Sequence, residues 1–87
     1  MDLIKEIQMA LKENRVIIGY RESIDFIKSN KPKLVVMAKN VPENMRKEIE
    51  HNAKIFDLEV IVFEGSSKEL GVICGKPFPI STLVIKG

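Results

Sequence analysis

Four short apolar runs divide the chain and predict the strands of a sheet. They are VIIG within residues 15–19, LVVMA at residues 34–38, VIVF within residues 58–63, and TLVI within residues 80–85. Each run is continuous rather than alternating and is rich in β-branched residues, which is typical of strands covered on both faces. The pattern therefore predicts a buried sheet with helices packed on both sides.

The segments before, between and after the first two runs carry apolar residues at helical spacing and predict three helices. Asp2 is the predicted N-cap of the first helix, which closes near Asn14. The second begins near Tyr20 and ends before Pro32, because a residue that precedes proline avoids helical geometry. Pro42 is predicted at an early position of the third. The inward-facing residues are Leu3, Ile4, Ile7, Ala10 and Leu11, then Ile24 and Ile27, then Met45, Ile49, Ala53 and Phe56.

Residues 64–78, EGSSKELGVICGKPF, join the third run to the fourth. Ser66 and Glu69 fit a capping box at the start of a short helix. Gly71 is expected to end that helix or to permit close packing, and Gly75 is expected to take a positive φ. This helix has about two turns and is roughly 10 Å long. It is too short to carry the chain back along the sheet, so the last strand is predicted to be antiparallel to the third.

This topology gathers three loops at one end of the sheet, residues 19–22, 39–41 and 72–78, and we refer to this surface as the loop edge. It lies where the first three strands finish and the fourth begins. The carboxyl ends of strands are the usual ligand edge of open α/β sheets. The predicted fold is one α/β domain over residues 1–87, a three-layer α/β/α sandwich with a mixed four-stranded sheet.

Charge and composition narrow the function only slightly. The chain has 87 residues and a net charge of +2, which does not by itself indicate a nucleic-acid binder. The excess of positive charge lies near the C-terminal end, because residues 65–87 contain Lys68, Lys76 and Lys86 but only one acidic residue, Glu69. Any basic site must therefore come from the placement of charges in the fold.

The residue types that carry chemistry are sparse. The single cysteine, Cys74, excludes an internal disulfide, and Cys74 with His51 provides too few ligands for zinc. No motif pairs either residue with a catalytic base, so we expect no catalytic residues, no cofactor, no metal site and no small-molecule substrate. The N-terminus lacks a signal-peptide pattern, and no apolar run is long enough to span a bilayer. We expect a cytoplasmic protein without a membrane partner.

Four segments together resemble the kink-turn RNA-binding ribosomal protein family. They are GYRES after the first strand, AKN followed by a proline, IEHNAK in the third helix, and EGSSKELGVICGK before the last strand. They occur in the family's order across residues 3–85, and E-L-G-x-x-x-G-K at residues 69–76 is the most specific of them. The resemblance is strongest to the 30e group of the large ribosomal subunit in archaea and eukaryotes.

The resemblance implies both a fold and a function. The family has a three-layer α/β/α fold with an antiparallel last strand, in agreement with the pattern above. Its members bind bent RNA helices that contain sheared G·A pairs, and they are not enzymes. We therefore expect a ribosome-associated protein that is monomeric when free and whose partner is structured, kink-turn RNA.

The resemblance also implies roles at the loop edge. Gly19 would let RNA approach the backbone, Arg21 and Glu22 would contact kink-turn guanines and the adjacent backbone, and Asn40 matches a contacting asparagine. Val72, Ile73, Cys74 and Phe78 lie in a loop that we expect to be exposed, and they would form an apolar lid over an extruded nucleotide. This fits the general use of bulges in RNA recognition. The predicted RNA-binding residues are Gly19, Tyr20, Arg21, Glu22, Lys39, Asn40, Val72, Ile73, Cys74, Gly75, Lys76 and Phe78.

Plainer interpretations stand beside these roles. Gly19 could serve a strand-to-helix turn, Asn40 could cap the third helix, and Ile73 could point into the core. Tyr20 and Phe78 could both be plain packing residues. Related 7A-type proteins have a lysine where this chain has Asp25, and 30e-type proteins usually lack a glutamate at the position of Glu22. The weak net charge and Asp25 leave open an alternative function, a protein-interaction module on the same fold without RNA affinity.

Overall fold

The computed structural model describes residues 2–87, and within them the chain forms four helices and a four-stranded sheet. The elements are α1 (Leu3–Lys12), β1 (Val16–Ile18), α2 (Tyr20–Ser29), β2 (Leu34–Ala38), α3 (Glu43–Phe56), β3 (Val60–Phe63), α4 (Ser67–Ile73) and β4 (Thr82–Ile85). The predicted order of helices and strands is confirmed. β2 has the bounds of its apolar run, whereas β1, β3 and β4 are shorter than the predicted segments 15–19, 58–63 and 80–85, whose remaining residues lie outside the strands.

The sheet is mixed, with the strand order β1-β4-β2-β3. Strands β2 and β3 are parallel, and β4 runs antiparallel to both β1 and β2, which are its neighbours. The predicted antiparallel last strand is therefore confirmed. Because β4 is inserted between β1 and β2, its start lies beside the ends of both strands.

The core has two layers because consecutive strand residues point to opposite faces. Leu34 and Val36 pack with α1 and α4, in a cluster that includes Ile7 and Leu70. Val35 and Met37 pack with α2 and α3 on the other face, in a cluster with Ile24, Ile27 and Ile49. All five residues of β2 are buried, as expected for a central strand covered on both sides.

The helix ends follow local backbone chemistry. The side chain of Asp2 accepts a hydrogen bond from the amide of Lys5 at 3.3 Å and caps α1, as predicted. Asn14, two residues after the end of α1, and Asp57, directly after the end of α3, have positive φ angles of 56° and 55°. Pro42 is the N-cap of α3 rather than an early helical residue, so that prediction was one position out.

Two residues predicted to face inward are instead partly exposed. Ile4 is 42% exposed and Phe56 is 40% exposed. Both lie in the terminal turns of their helices, and each lines an open groove of the surface, Ile4 beside β3 and Phe56 beside Leu58. Across residues 2–87, no helix combines the length and the apolar character that crossing a membrane requires.

Candidate nucleic-acid interface

Main-chain hydrogen bonds join the strand ends at the loop edge. The amide of Gly19 donates to the carbonyl of Thr82 at 3.0 Å, and the amide of Ala38 donates to the carbonyl of Ser81 at 2.8 Å. The amide of Lys39 donates to the carbonyl of Gly65 at 2.9 Å. The first two bonds hold the ends of β1 and β2 against the start of β4, and the third joins the segments that follow β2 and β3. With the register of β4, they place residues 19–22 and 39–41 at the same end of the sheet, as predicted. None of these three bonds involves residues 72–78, which precede β4 in the chain.

Asn40 connects two of these segments through its side chain. Its Oδ1 accepts a hydrogen bond from the amide of Ser67 at 2.8 Å, in the first turn of α4. The alternative that Asn40 caps α3 is wrong, because the N-cap of α3 is Pro42 and no side chain caps it. The amide oxygen is thus used inside the protein. The Nδ2 group finds no acceptor among residues 2–87 and remains available as a donor.

The start of α4 is capped as the sequence predicts, in part. The hydroxyl of Ser66 accepts from the amide of Glu69 at 3.3 Å. Among residues 2–87 the return bond of a capping box is not formed, and the Glu69 carboxylate instead lies against Gly65. The carbonyl of Ser67 accepts from the amide of Ile80 at 2.9 Å, which anchors the returning chain to this turn.

The end of α4 has the geometry of a Schellman motif. The amide of Gly75 donates to the carbonyl of Val72 at 2.9 Å, and the amide of Lys76 donates to the carbonyl of Gly71 at 2.9 Å. Gly75 has a φ of 71°, as predicted, which a side chain would make costly. Gly71 lies inside the helix against the backbone of Phe78, so its predicted role in close packing is confirmed.

The four residues of the predicted apolar lid do not share one surface, because α4 turns some of them outward and others toward the core. Val72 and Phe78 are 71% and 50% exposed, but Cys74 is only 8% exposed and belongs to the core beside α1 and α4. Ile73 is partly buried against the same core. The expectation that all four are exposed was therefore wrong for Cys74 and only partly right for Ile73. Leu70, Ile73 and Cys74 share one face of α4 through their spacing, and Val72 lies on the opposite side.

A groove beside Val72 and Phe78 contains residues that the predicted RNA site did not include. It has a volume of about 480 Å³ and is lined by Ser67, Lys68, Val72, Lys76, Pro77, Phe78 and Pro79. Lys68 precedes Val72 by four residues, so the two side chains lie on the same face of α4. That spacing was the signal that could have identified Lys68. The groove combines an apolar floor with two lysines.

The cations of the loop edge are free of internal partners. The side chains of Arg21, Lys39 and Lys76 are exposed, and among residues 2–87 none forms an ion pair. Gly19 has a φ of 114° and is the N-cap of α2 without a side-chain cap. A Cβ atom at Gly19 would lie 2.6 Å from Oε2 of Glu22, so the Glu22 carboxylate sits directly beside this turn. The turn thus depends on Gly19 and has the carboxylate of Glu22 and the guanidinium of Arg21 nearby in sequence.

The side chain of Tyr20 contacts α3. Its hydroxyl donates to Oε2 of Glu48 in α3 at 2.5 Å, and its ring packs against the core beside α2 and α3. Partial burial, followed by the hydrogen bond to Glu48, raises the pKa of Tyr20 to about 12. The structure therefore gives the phenol hydroxyl an internal role. The plain packing interpretation of Tyr20 is the one that the geometry supports.

Neither candidate nucleophile has the surroundings of a catalyst. Burial raises the pKa of the Cys74 thiol, which disfavours the reactive thiolate. His51 is exposed on α3. Among residues 2–87, no group of three or more metal-ligating side chains comes together.

Fold and loop edge together define a small α/β/α domain in which exposed polar, charged and apolar groups occur at the carboxyl ends of its parallel strands. All 87 residues match the model of one family, described as the ribosomal protein L7Ae/L30e/S12e/Gadd45 family. The chain belongs to this family, which confirms the resemblance found in the sequence.

The curated relatives are ribosomal proteins. The chain is 43% identical over 86 residues to large ribosomal subunit protein eL30 of Methanothermobacter thermautotrophicus, covering 99% of this chain and 88% of that protein. It is 39% identical over 80 residues to the eL30 protein of Saccharolobus solfataricus, covering 92% and 74% of the two chains. Because the family and these relatives are ribosomal proteins, the prediction that the chain is not an enzyme is confirmed.

Solved structures support the fold. A Bacillus halodurans protein of unknown function aligns with a TM-score of 0.89 at 15% identity, covering 99% of this chain and 85% of that one. The Giardia lamblia 15.5kD RNA binding protein aligns with a TM-score of 0.82 at 16% identity, covering 98% and 71%. At these identities the likeness establishes the three-layer fold with its mixed sheet.

Proposed function

We propose that this chain is a large-subunit ribosomal protein that binds structured RNA through the loop edge, and that its RNA site is a kink-turn. In this proposal residues 1–87 form a single RNA-binding domain that is monomeric when free and needs no metal or cofactor. The protein then resides in the cytoplasm, on the ribosome. Its curated relatives are large-subunit ribosomal proteins, and one structural neighbour is named as an RNA-binding protein.

The observation that carries the proposal is the composition of the loop edge. Unpaired cations, an unused amide donor and exposed apolar groups occur together on one surface that internal hydrogen bonds hold in place. A surface with these three kinds of group matches the three parts of a bulged RNA helix, its phosphates, its base edges and its unstacked bases.

Phosphate contacts are assigned to the cations. Arg21, Lys39 and Lys76 are exposed on the three segments of the loop edge, so they can follow a bent backbone. Arg21 can also reach the edge of a guanine, which its guanidinium can contact with two donors. The amides of the first turn of α2 lie beside Gly19, where the absence of a side chain allows a close approach. Lys68 extends the positive surface along α4.

Base contacts are assigned to the polar and apolar groups. The free Nδ2 of Asn40 can donate to a base oxygen or nitrogen, and the carboxylate of Glu22 can accept from a guanine. Val72 and Phe78 provide the exposed apolar surface for an extruded base. Gly75 shapes the loop between them, whereas Tyr20, Ile73 and Cys74 would act by supporting the backbone.

Binding to a kink-turn RNA tests the proposal directly. We expect tighter binding to an RNA with a bulge and sheared G·A pairs than to a straight duplex of the same length. Arg21→Ala should weaken binding by about 1–3 kcal/mol if the guanidinium contacts a base edge. Lys76→Ala should weaken all kink-turn RNAs alike and reduce the slope of log affinity against log salt by about 1.

Lys31→Ala is the matched control for these variants. Lys31 is also exposed, but it lies in the segment between α2 and β2, at the opposite end of the sheet. Its replacement should leave affinity and salt slope unchanged. If all three variants weaken binding equally, RNA affinity depends on the total positive charge of the protein and not on the loop edge.

If no RNA binds, a protein-interaction module on this fold becomes the better explanation. RNA that co-purifies with the protein from cell extract would identify the natural site by sequencing.

A further inference from the structure

Strand β3 forms a free edge of the sheet. The amide of Val35 donates to the carbonyl of Glu59, and the amide of Lys39 donates to the carbonyl of Gly65. The odd-numbered residues of this segment therefore turn their main-chain groups toward β2. Since these groups alternate in direction along a strand, the N–H and C=O groups of Val60 and Val62 point away from the sheet.

No residue within β3 blocks the approach of another strand. Natural edge strands commonly carry a lysine, a proline or a bulge that blocks the approach of another strand. The sequence VIVF of β3 contains none of these residues, and its register with β2 is continuous from Val35↔Val60 to Ala38↔Phe63. Val62 is 36% exposed, so the strand presents an apolar side chain beside its free main-chain groups.

An open apolar groove runs between this edge and the first turn of α1. It has a volume of about 710 Å³ and is lined by Asp2, Leu3, Ile4, Ile61, Val62, Phe63 and Glu64. Its floor is aliphatic and aromatic, and its charged lining residues are two carboxylates. Within residues 2–87, no basic residue lines this groove. A third carboxylate, that of Glu59, is exposed just before β3.

We propose that β3 is a docking edge for an extended, basic segment of a partner protein, which adds to the sheet as a fifth strand. The main chain of the segment bonds to the outward groups of Val60 and Val62. Apolar side chains on one face of the added strand enter the groove beside Ile4. Basic side chains on its other face and at its end pair with Glu64 and Asp2.

The negative charge beside β3 favours a basic protein segment over RNA and over a second copy of the chain. Asp2, Glu59 and Glu64 repel the phosphates of RNA, so a second RNA helix is disfavoured here. A second copy of the chain would bring its own Glu59 and Glu64 to the same carboxylates, which disfavours pairing of β3 with itself. A basic protein segment neutralises these charges and satisfies the main-chain groups at once.

Hydrogen exchange with a synthetic peptide tests the proposal. The probe is a peptide of about eight residues, a usual strand length, in which lysine and valine alternate. In the free protein the amides of Val60 and Val62 should exchange quickly. With the peptide both amides should become protected, and their NMR signals and those of Ile4 should shift. A peptide with glutamate in place of lysine is the control, and it should have no effect.

Two variants separate main-chain pairing from charge. Asp2→Asn keeps a good N-cap for α1, and combined with Glu64→Gln it should weaken peptide binding about threefold per carboxylate. Glu50→Gln, on the exposed surface of α3, is the matched control and should change nothing. Val62→Pro removes an outward N–H that the fold does not use, and it should weaken binding about fivefold or more.

Four results would overturn the proposal. The first is fast exchange of both amides at millimolar peptide, and the second is equal binding of the glutamate peptide. The third is protection of Val60 and Val62 that rises with protein concentration alone, which would assign the edge to a second copy. The fourth is protection by kink-turn RNA without peptide. The loop edge and the groove share no residue, so failure here leaves the RNA proposal untouched.

Discussion

The hydroxyl of Tyr20 joins the first turn of α2 to the middle of α3 through its bond to Glu48. Partial burial and this bond favour the neutral phenol and raise its pKa to about 12, from an ordinary value of 10.0. A raised folded-state pKa means that the contribution to stability is complete below pH 10. It is lost as the pH rises from about 10 to about 12, because the unfolded chain ionises first.

An ultraviolet titration should show this shift without ambiguity, since the chain has one tyrosine and no tryptophan. We expect the tyrosinate absorbance of the folded protein to appear with a midpoint near pH 12. Glu48→Gln should move the midpoint down, because the carboxylate charge is removed while an acceptor remains. Tyr20→Phe should remove the loss of stability in this pH window. A midpoint at the ordinary value in the native protein would contradict the geometry.

Among the secondary-structure elements, α4 shows most clearly where sequence patterns succeed and where they stop. Its start at Ser66, the positive φ of Gly75 and the two-turn length follow from local residue chemistry and were predicted. The sequence did not predict which apolar side chains of α4 point inward, because that depends on which side of the helix packs on the core. The sequence placed Cys74 in an exposed loop, whereas the helical spacing from Leu70 carries it inward.

Replacing Gly71 in α4 or Gly75 just after it should destabilise the protein for different reasons. A Cβ atom at Gly71 would overlap the carbonyl of Phe78, which is backbone and cannot move aside cheaply. Gly71→Ala should therefore lower the free energy of unfolding by about 3 kcal/mol. Gly75→Ala meets no atom within 4 Å, so its cost is the strain of φ 71° alone, about 1–2 kcal/mol. Urea denaturation measures both, and a reversed order would contradict the packing.

Serine substitutions should separate the outward and inward faces of α4. Val72→Ser should leave the melting temperature nearly unchanged and weaken kink-turn RNA binding. Ile73→Ser should lower stability by about 1–2 kcal/mol, since its side chain packs on the core. Phe78→Ala should cost about 1–3 kcal/mol of RNA affinity if a base stacks on the ring. Calorimetry and gel shifts on the same variants check this. Full RNA affinity in the Val72 and Phe78 variants would remove both from the site.

For the molecule as a whole, the short α4 was enough to predict the direction of β4 but not its place in the sheet. Its insertion between β1 and β2 depends on pairing across the chain, which no local pattern reports. The same limit applied to Asn40. Its type and position marked a turn, but its bond to Ser67 joins residues that are distant in sequence. Pairings of this kind turn separate loops into one surface.

Asn40 offers a test of whether that surface is also the RNA site. Asn40→Asp keeps the oxygen that accepts from Ser67 and replaces the free Nδ2 donor by a second acidic oxygen. Stability should stay within about 0.5 kcal/mol of the parent, whereas RNA affinity should fall by about 1–3 kcal/mol. Asn40→Ala also removes the oxygen that accepts from the Ser67 amide, and it should cost about 1 kcal/mol of stability. Thermal unfolding with RNA titration distinguishes the two effects. If Asn40→Asp binds RNA as tightly as the parent protein, the outward donor has no part in recognition, and Asn40 serves only to hold the first turn of α4 against the end of β2.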